Sequence, residues 1–164
     1  MKARLFAGVV LAALVGASVP GPAPAAGAPS IYETLLAREE LVTAFVAVVE
    51  AEEATALQSP GEYTLFAPSD AAFKKLDEAT VKKLVSDKEM VRRLIGAHLA
   101  KGALTAAKLK EEYDGKEVPT LRGAWKVQKL KDGLRVGAAK IVGPDITCSN
   151  GVIHVIDTVL PMTE

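Results

Sequence analysis

Apolar residues recur at helical spacing from Ser30 to about Gln58: Ile31 and Leu35, then Leu41, Val42, Phe45, Val46 and Val49, with acids and an arginine between them. Ser30 and Glu33 stand in the Ser-x-x-Glu relation in which hydroxyl and carboxylate satisfy backbone donors at a helix start, so order is expected to begin near Ser30. Residues 37–40 interrupt the apolar row, which predicts two or three consecutive helices. Ser59, Pro60 and Gly61 end the helical region, and residues 63–66 form a short β-prone run closed by Pro68. Ser69 or Asp70 can cap a helix through Phe73 and Leu76, and Val81, Leu84, Val85, Met90, Val91, Leu94 and Ile95 continue the helical pattern. Gly102 marks a break, and residues 104–111 read as one more short helix.

After Gly115 the period changes. Glycines at 123, 133, 137, 143 and 151 punctuate β-prone runs at 118–121, 125–130, 134–136, 140–142, 146–148 and 152–159. Asp132-Gly133 and Asn150-Gly151 are dipeptides of tight hairpin turns, since Gly and Asn both accept positive φ. Along the last run Val152 and Ile156 point one way while Ile153, Val155 and Val159 point the other. A strand apolar on both faces is expected to be central, between a second sheet and helices. Helices first, then strands, with one early strand at Tyr63, is the order of an α+β domain rather than of βαβ units.

The first 25 residues break this pattern. Lys2 and Arg4 precede an apolar stretch from Leu5 to Val15, and Ala23, Pro24 and Ala25 supply a small-x-small site, the layout of a secretory signal peptide cleaved after Ala25, with Ala26 or Ala23 as alternatives. The apolar stretch is too short to span a bilayer as a helix. Residues 26–29 then form a short leader and 30–164 one domain. Four of the nine prolines, at 20, 22, 24 and 29, fall in this region and disfavour regular structure there. The 164 residues carry 20 basic and 20 acidic side chains; losing Lys2 and Arg4 leaves 18 against 20, so the exported chain is near −2. That balance lacks the basic footprint of nucleic-acid binding, and a single cysteine rules out an internal disulfide.

Two long segments resemble the signatures of one family. Tyr63-Thr64-Leu65-Phe66-Ala67-Pro68-Ser69-Asp70-Ala71-Ala72-Phe73 resembles the first signature of the fasciclin (FAS1) domain, and Ser149-Asn150-Gly151-Val152-Ile153-His154-Val155-Ile156-Asp157 the second. Leu121-Arg122-Gly123 is similar to the family's Thr-Leu-x-Gly segment, and His98 falls where the family carries a Tyr-His motif. Ala97 stands in place of the tyrosine, and Lys101 where a proline commonly precedes Gly102. The resemblance runs from about Ile31 to Pro161. It implies a β-sandwich or wedge with N-terminal and flanking helices, and a non-catalytic binding module of cell-surface or matrix adhesion. In animal relatives an integrin-binding Glu-Pro-Asp-Ile-Met precedes the second signature; here Pro144, Asp145 and Ile146 match it, while Gly143 and Thr147 do not.

The residues themselves offer little chemistry. His98 and His154 lie outside any metal-binding spacing, and the chain has no Gly-x-Ser-x-Gly and no phosphate-cradling glycine loop. A Cys148–His nucleophile pair is arithmetically possible, but Cys148 on a strand reads as a small buried side chain. His98 reads as an imidazole bonded to backbone or to a carboxylate such as Asp70, and His154 as a core or edge histidine. Asp70 reads as a helix-start carboxylate, Asp157 as a strand-end stabiliser, and Pro144-Asp145 as a turn before a strand. Lys74, Lys75, Lys82, Lys83, Lys88, Arg92 and Arg93 alternate with Asp77, Glu78, Asp87 and Glu89 and form a solvated mixed-charge face. Trp125 reads as core or sheet surface. No cofactor or metal is implied. His98, Pro144, Asp145 and Ile146 are the candidate partner-binding residues, for a surface protein or glycan reached in the periplasm or outside the cell. Weak self-association through the thiol requires an exposed Cys148. The competing reading, drawn from pigment-binding relatives, is an apolar ligand such as a carotenoid in a groove beside the sheet.

Overall fold

The computed structural model describes residues 27–52 and 54–162, so the expected signal peptide at 1–25 lies outside the described residues. Helix α1 (Ile31–Leu36) starts with the expected capping box: the Ser30 hydroxyl accepts from the Glu33 amide and the Glu33 carboxylate accepts from the Ser30 amide at 2.7 Å. A 3₁₀ turn (Glu39–Leu41) separates it from α2 (Val42–Glu50), and α3 (Ala54–Gln58) leads to strand β1 (Tyr63–Pro68). Ser69 caps α4 (Asp70–Phe73); Asp77 caps α5 (Glu78–Ser86). Asp87 ends α5 and caps α6 (Lys88–His98), its carboxylate accepting from the Glu89 and Met90 amides. After β2 (Leu99–Lys101), Thr105 caps α7 (Ala106–Glu112), and the rest is strand: β3 (Glu117–Thr120), β4 (Gly123–Leu130), β5 (Gly133–Val136), β6 (Ala139–Cys148) and β7 (Gly151–Ile156).

The α+β class holds, and the expected sandwich or wedge fits the sheet only roughly. Its seven strands close into a barrel in sequence order, each antiparallel to the next, and β7 returns beside β1 in parallel over six residue pairs, from Tyr63↔Gly151 to Pro68↔Ile156. The parallel closure needs a long connection, which the helices and β2–β6 supply. Every residue of β7 is buried, as a central strand requires. Ile153 and Val155 pack with Leu65 and Ala67 against Ile31, Leu35, Leu41, Val48 and Leu57 of the helices. The alternate positions Phe66 and Ile156 join Val118, Val127, Val136 and Ile141 inside the barrel. Val159 lies beyond the strand and packs with Ala44, Phe73, Leu84 and Leu94 in a third cluster.

Three local expectations are corrected. The runs at 140–142 and 146–148 are one strand, β6, whose register against β7 shifts on both sides of Gly143, so Pro144-Asp145 forms a bulge inside a strand and not a turn before one. Strand β2, unmarked by any apolar alternation, follows α6 directly. In both hairpins only the glycine takes positive φ, Gly133 at 154° and Gly151 at 153°; Asn150 does not.

Candidate functional site: an apolar face on helix α2

Helix α2 reads Val-Thr-Ala-Phe-Val-Ala-Val-Val-Glu and is apolar nearly all round. Burial therefore depends on which face the neighbours cover. Ala44 and Val48 turn inward, while Val42, Val46 and Val49, spaced i, i+4 and i+7, remain 51%, 47% and 43% exposed. Of the apolar row noted in the sequence, Ile31, Leu35 and Leu41 are buried and Phe45 packs against the core, while the three valines point to solvent. Leu36, at the end of α1, is also exposed.

Beside this row runs a groove of about 100 Å³ between α2 and helices α4 to α6, lined by Val46, Ala47, Phe73, Val81, Leu84 and Leu94, with Glu50 the one charged lining residue. It adjoins an open depression of about 500 Å³ that shares Thr43, Phe73 and Val81 and is bordered by Asp70, Lys74, Glu78 and Lys82. Asp70 has a structural role here. It sits in the first turn of α4, and its Oδ1 accepts from the Thr43 amide at 2.9 Å, so one carboxylate serves the starts of two helices.

The residues expected to meet a partner do not converge. His98 is 1% exposed; its Nδ1–H donates to the Leu94 carbonyl at 2.7 Å and its Nε2 accepts from the Leu160 amide at 3.0 Å. Its partners are backbone groups and not Asp70, and burial pushes its pKa down to about 4. A neutral imidazole tying α6 to the C-terminal segment is a core tether, with no surface left for a partner.

Pro144 and Asp145 are exposed and Ile146 is half-buried against the helical core. Asp145 holds φ at 54°, a left-handed geometry that is uncommon for a non-glycine residue. Three bonds secure it: Asp145 Oδ1 accepts from the Ala106 amide at 2.7 Å, the Asp145 amide donates to His154 Nδ1 at 3.3 Å, and His154 Nε2–H donates to the Leu104 carbonyl at 2.6 Å. His154 is fully buried and stacks on Phe66, and that burial lowers its pKa. The bulge is therefore pinned to the start of α7 and to β7.

Neither histidine supports catalysis with Cys148. Its sulfur lies 3.3 Å from the Thr34 hydroxyl and 3.6 Å from the Ile146 carbonyl, and burial raises the thiol pKa. At 1% exposure it is also unavailable to link two copies. Among the described residues no cluster of three or more His, Cys, Asp or Glu side chains is placed to hold a metal, and no helix is long and apolar enough to cross a membrane. Trp125 is half-buried on β4, its Nε1–H donating 2.7 Å to the carbonyl of Ala97, the residue that replaces the family's tyrosine.

A profile of the fasciclin domain matches residues 40–162, three quarters of the chain. The chain belongs to the fasciclin domain family. It is 36% identical over 134 residues to an uncharacterized protein of Synechocystis sp., an alignment covering 82% of this chain and 98% of that one. It is 36% identical over 101 residues to the cell surface glycolipoprotein MPB83 of Mycobacterium bovis, covering 61% of this chain and 44% of the glycolipoprotein. With the transforming growth factor-beta-induced protein ig-h3 of Sus scrofa it shares 35% over 108 residues, 65% of this chain and 15% of ig-h3. Among solved structures, a FAS1 domain pair from the insect cell adhesion molecule Fasciclin I superposes with a TM-score of 0.70 at 20% identity, over 81% of this chain and 51% of the pair. The fasciclin fold explains both signatures physically. Ser69 and Asp70 of the first cap α4 and α2, and Asn150 of the second accepts from the Ile31 amide and donates to the Leu57 and Ser59 carbonyls. The α2 face lies outside both signatures, and the sequence signal for it is a helix with too many apolar residues to bury.

Proposed function

We propose that this fasciclin domain is a non-catalytic, exported binding module of cell-surface or extracellular-matrix adhesion, making contact with a protein or glycan through the exposed face of α2. The observation that carries this reading is the row Val42, Val46 and Val49, left in water beside an apolar groove, because clustered exposed apolar side chains mark interaction sites. The names of MPB83, a cell surface glycolipoprotein, and of Fasciclin I, a cell adhesion molecule, support the same setting. Export to the periplasm or beyond rests on the leader pattern of residues 1–25.

The apolar-ligand reading draws support from the same groove. The groove of about 100 Å³ adjoins the open depression of about 500 Å³, which lies within the roughly 300 to 1,000 Å³ of small-molecule sites, so it is the exposed valine row and not the volume that favours a macromolecular partner. Deleting the gene in its native host should reduce surface attachment or aggregation, with restoration by the intact gene. Unchanged attachment, or protein that co-purifies with about one visible chromophore per chain, contradicts the adhesion reading.

A further inference from the structure

The binding-module reading leaves the kind of partner open, and the α2 face carries enough detail to narrow it. Positions i, i+4 and i+7 form a ridge along one side of a helix, the spacing that receives the apolar row of a second helix. The adjoining groove, about 100 Å³, is smaller than an engineered core cavity of about 150 Å³ that holds benzene, so it takes one aliphatic side chain. The charges around the ridge are uneven. Glu40 is paired with Arg38 at 2.9 Å, and Glu52 with Lys88 and Arg92 at 3.1 and 3.0 Å. Glu39, one turn before Val42, and Glu50, one turn after Val46, are exposed and have no ion pair among the described residues.

We propose that this ridge and groove dock an amphipathic helix of a partner protein. Its apolar row rests on Val42, Val46 and Val49, one aliphatic side chain enters the groove, and lysines or arginines face Glu39 and Glu50. The two free carboxylates argue against the other occupants. A second copy laid parallel across Val46 sets Glu50 against its own equivalent, and an antiparallel copy sets Glu50 against Val42 and offers it no cation. An anionic lipid surface meets the same repulsion. The inference rests on the binding-module reading and narrows it to a basic amphipathic helix.

The test uses synthetic helical peptides of about 18 residues with leucines at i, i+4 and i+7, long enough to hold helical structure. One carries lysines beside the leucines, a second glutamates, and a third serines in place of the leucines. Amide NMR shifts of the full folded domain are followed during titration. The lysine peptide is expected to bind, with shifts centred on α2 and the groove, and the other two to bind at least roughly tenfold more weakly, the glutamate peptide because like charges oppose docking and the serine peptide because it has no apolar row to bury. Val46→Asp should abolish the binding, and Glu50→Lys should reverse the preference toward the glutamate peptide. Absence of binding by the lysine peptide, shifts elsewhere, or an unchanged preference in Glu50→Lys overturns the basic-helix partner. If Val46→Asp still abolishes surface attachment in cells, that failure leaves the adhesion face standing. If Val46→Asp attaches normally while the lysine peptide binds α2, the adhesion role fails and the helix-docking groove stands.

Discussion

Replacing Asn150 with alanine should remove a large share of the domain's stability, because this one side chain joins three separate segments. Its Oδ1 accepts from the Ile31 amide at 2.9 Å, at the open start of α1, and its Nδ2 donates to the Leu57 carbonyl at 2.6 Å and the Ser59 carbonyl at 3.2 Å, at the end of α3. Its own carbonyl accepts from the Tyr63 amide where β1 begins. The residue is 4% exposed. Alanine leaves the Ile31 amide and the Leu57 carbonyl buried without partners, at about 1–3 kcal/mol each, so the loss should be about 3 kcal/mol of a total near 5–15. Urea unfolding at pH 7 measures this directly, with a lower midpoint and an unchanged slope. Asn150→Asp keeps the acceptor for Ile31 but turns a carboxylate toward two carbonyls. Relative to wild type at the same pH, it should be weak at pH 7 and recover as acid protonates it. A loss below about 1 kcal/mol in the alanine variant refutes the three-segment tie.

Acid should weaken the fold through His98. It is neutral in both states at pH 7; below its ordinary pKa of 6.5 the unfolded chain takes up a proton that the folded chain refuses until about pH 4. Stability should fall across that window by roughly 3 kcal/mol and level off below it, more gently in His98→Gln; equal stability at pH 7 and 4.5 contradicts the assignment. His154, also held below its ordinary pKa by burial, adds to the same trend. Gly151→Ala should fold poorly, since a Cβ there meets the Tyr63 backbone at the closing β1–β7 pair and φ is 153°; native-like melting of that variant is the contrary result. Cys148 should resist iodoacetamide at pH 7.5 in the native protein and react in urea, and rapid native alkylation contradicts its buried, raised-pKa environment.

Much of this architecture is legible locally. The Ser30–Glu33 box, the Ser69 cap and the Asp132-Gly133 and Asn150-Gly151 hairpins announce themselves because short-range hydrogen bonds select those residue types, whereas Asp87, read only as part of a mixed-charge face, caps α6. Long-range closure is not legible in that way. Strand β2 has three residues and follows an unbroken helical period, and nothing local signals that β7 pairs with β1 across the whole domain. Gly143-Pro144 reads as a break in any strand, yet β6 continues through it as a bulge pinned by His154 and the start of α7. The family motif drew attention to His98, but both ring nitrogens turn out to serve the backbone. The α2 face escaped notice for a different reason. In a helix with Val, Ala and Phe on every side, periodicity cannot tell Val48, which packs on the core, from Val46, which faces water.

The proposed adhesive contact is the α2 face. It is tested most directly by restoring a deletion strain with the gene carrying Val46→Asp and measuring surface attachment at matched export and matched melting temperature of the purified protein. Val46 is 47% exposed, so the substitution should leave stability within about 0.5 kcal/mol. Attachment reduced to that of the deletion strain is the predicted result. Attachment equal to wild type contradicts it.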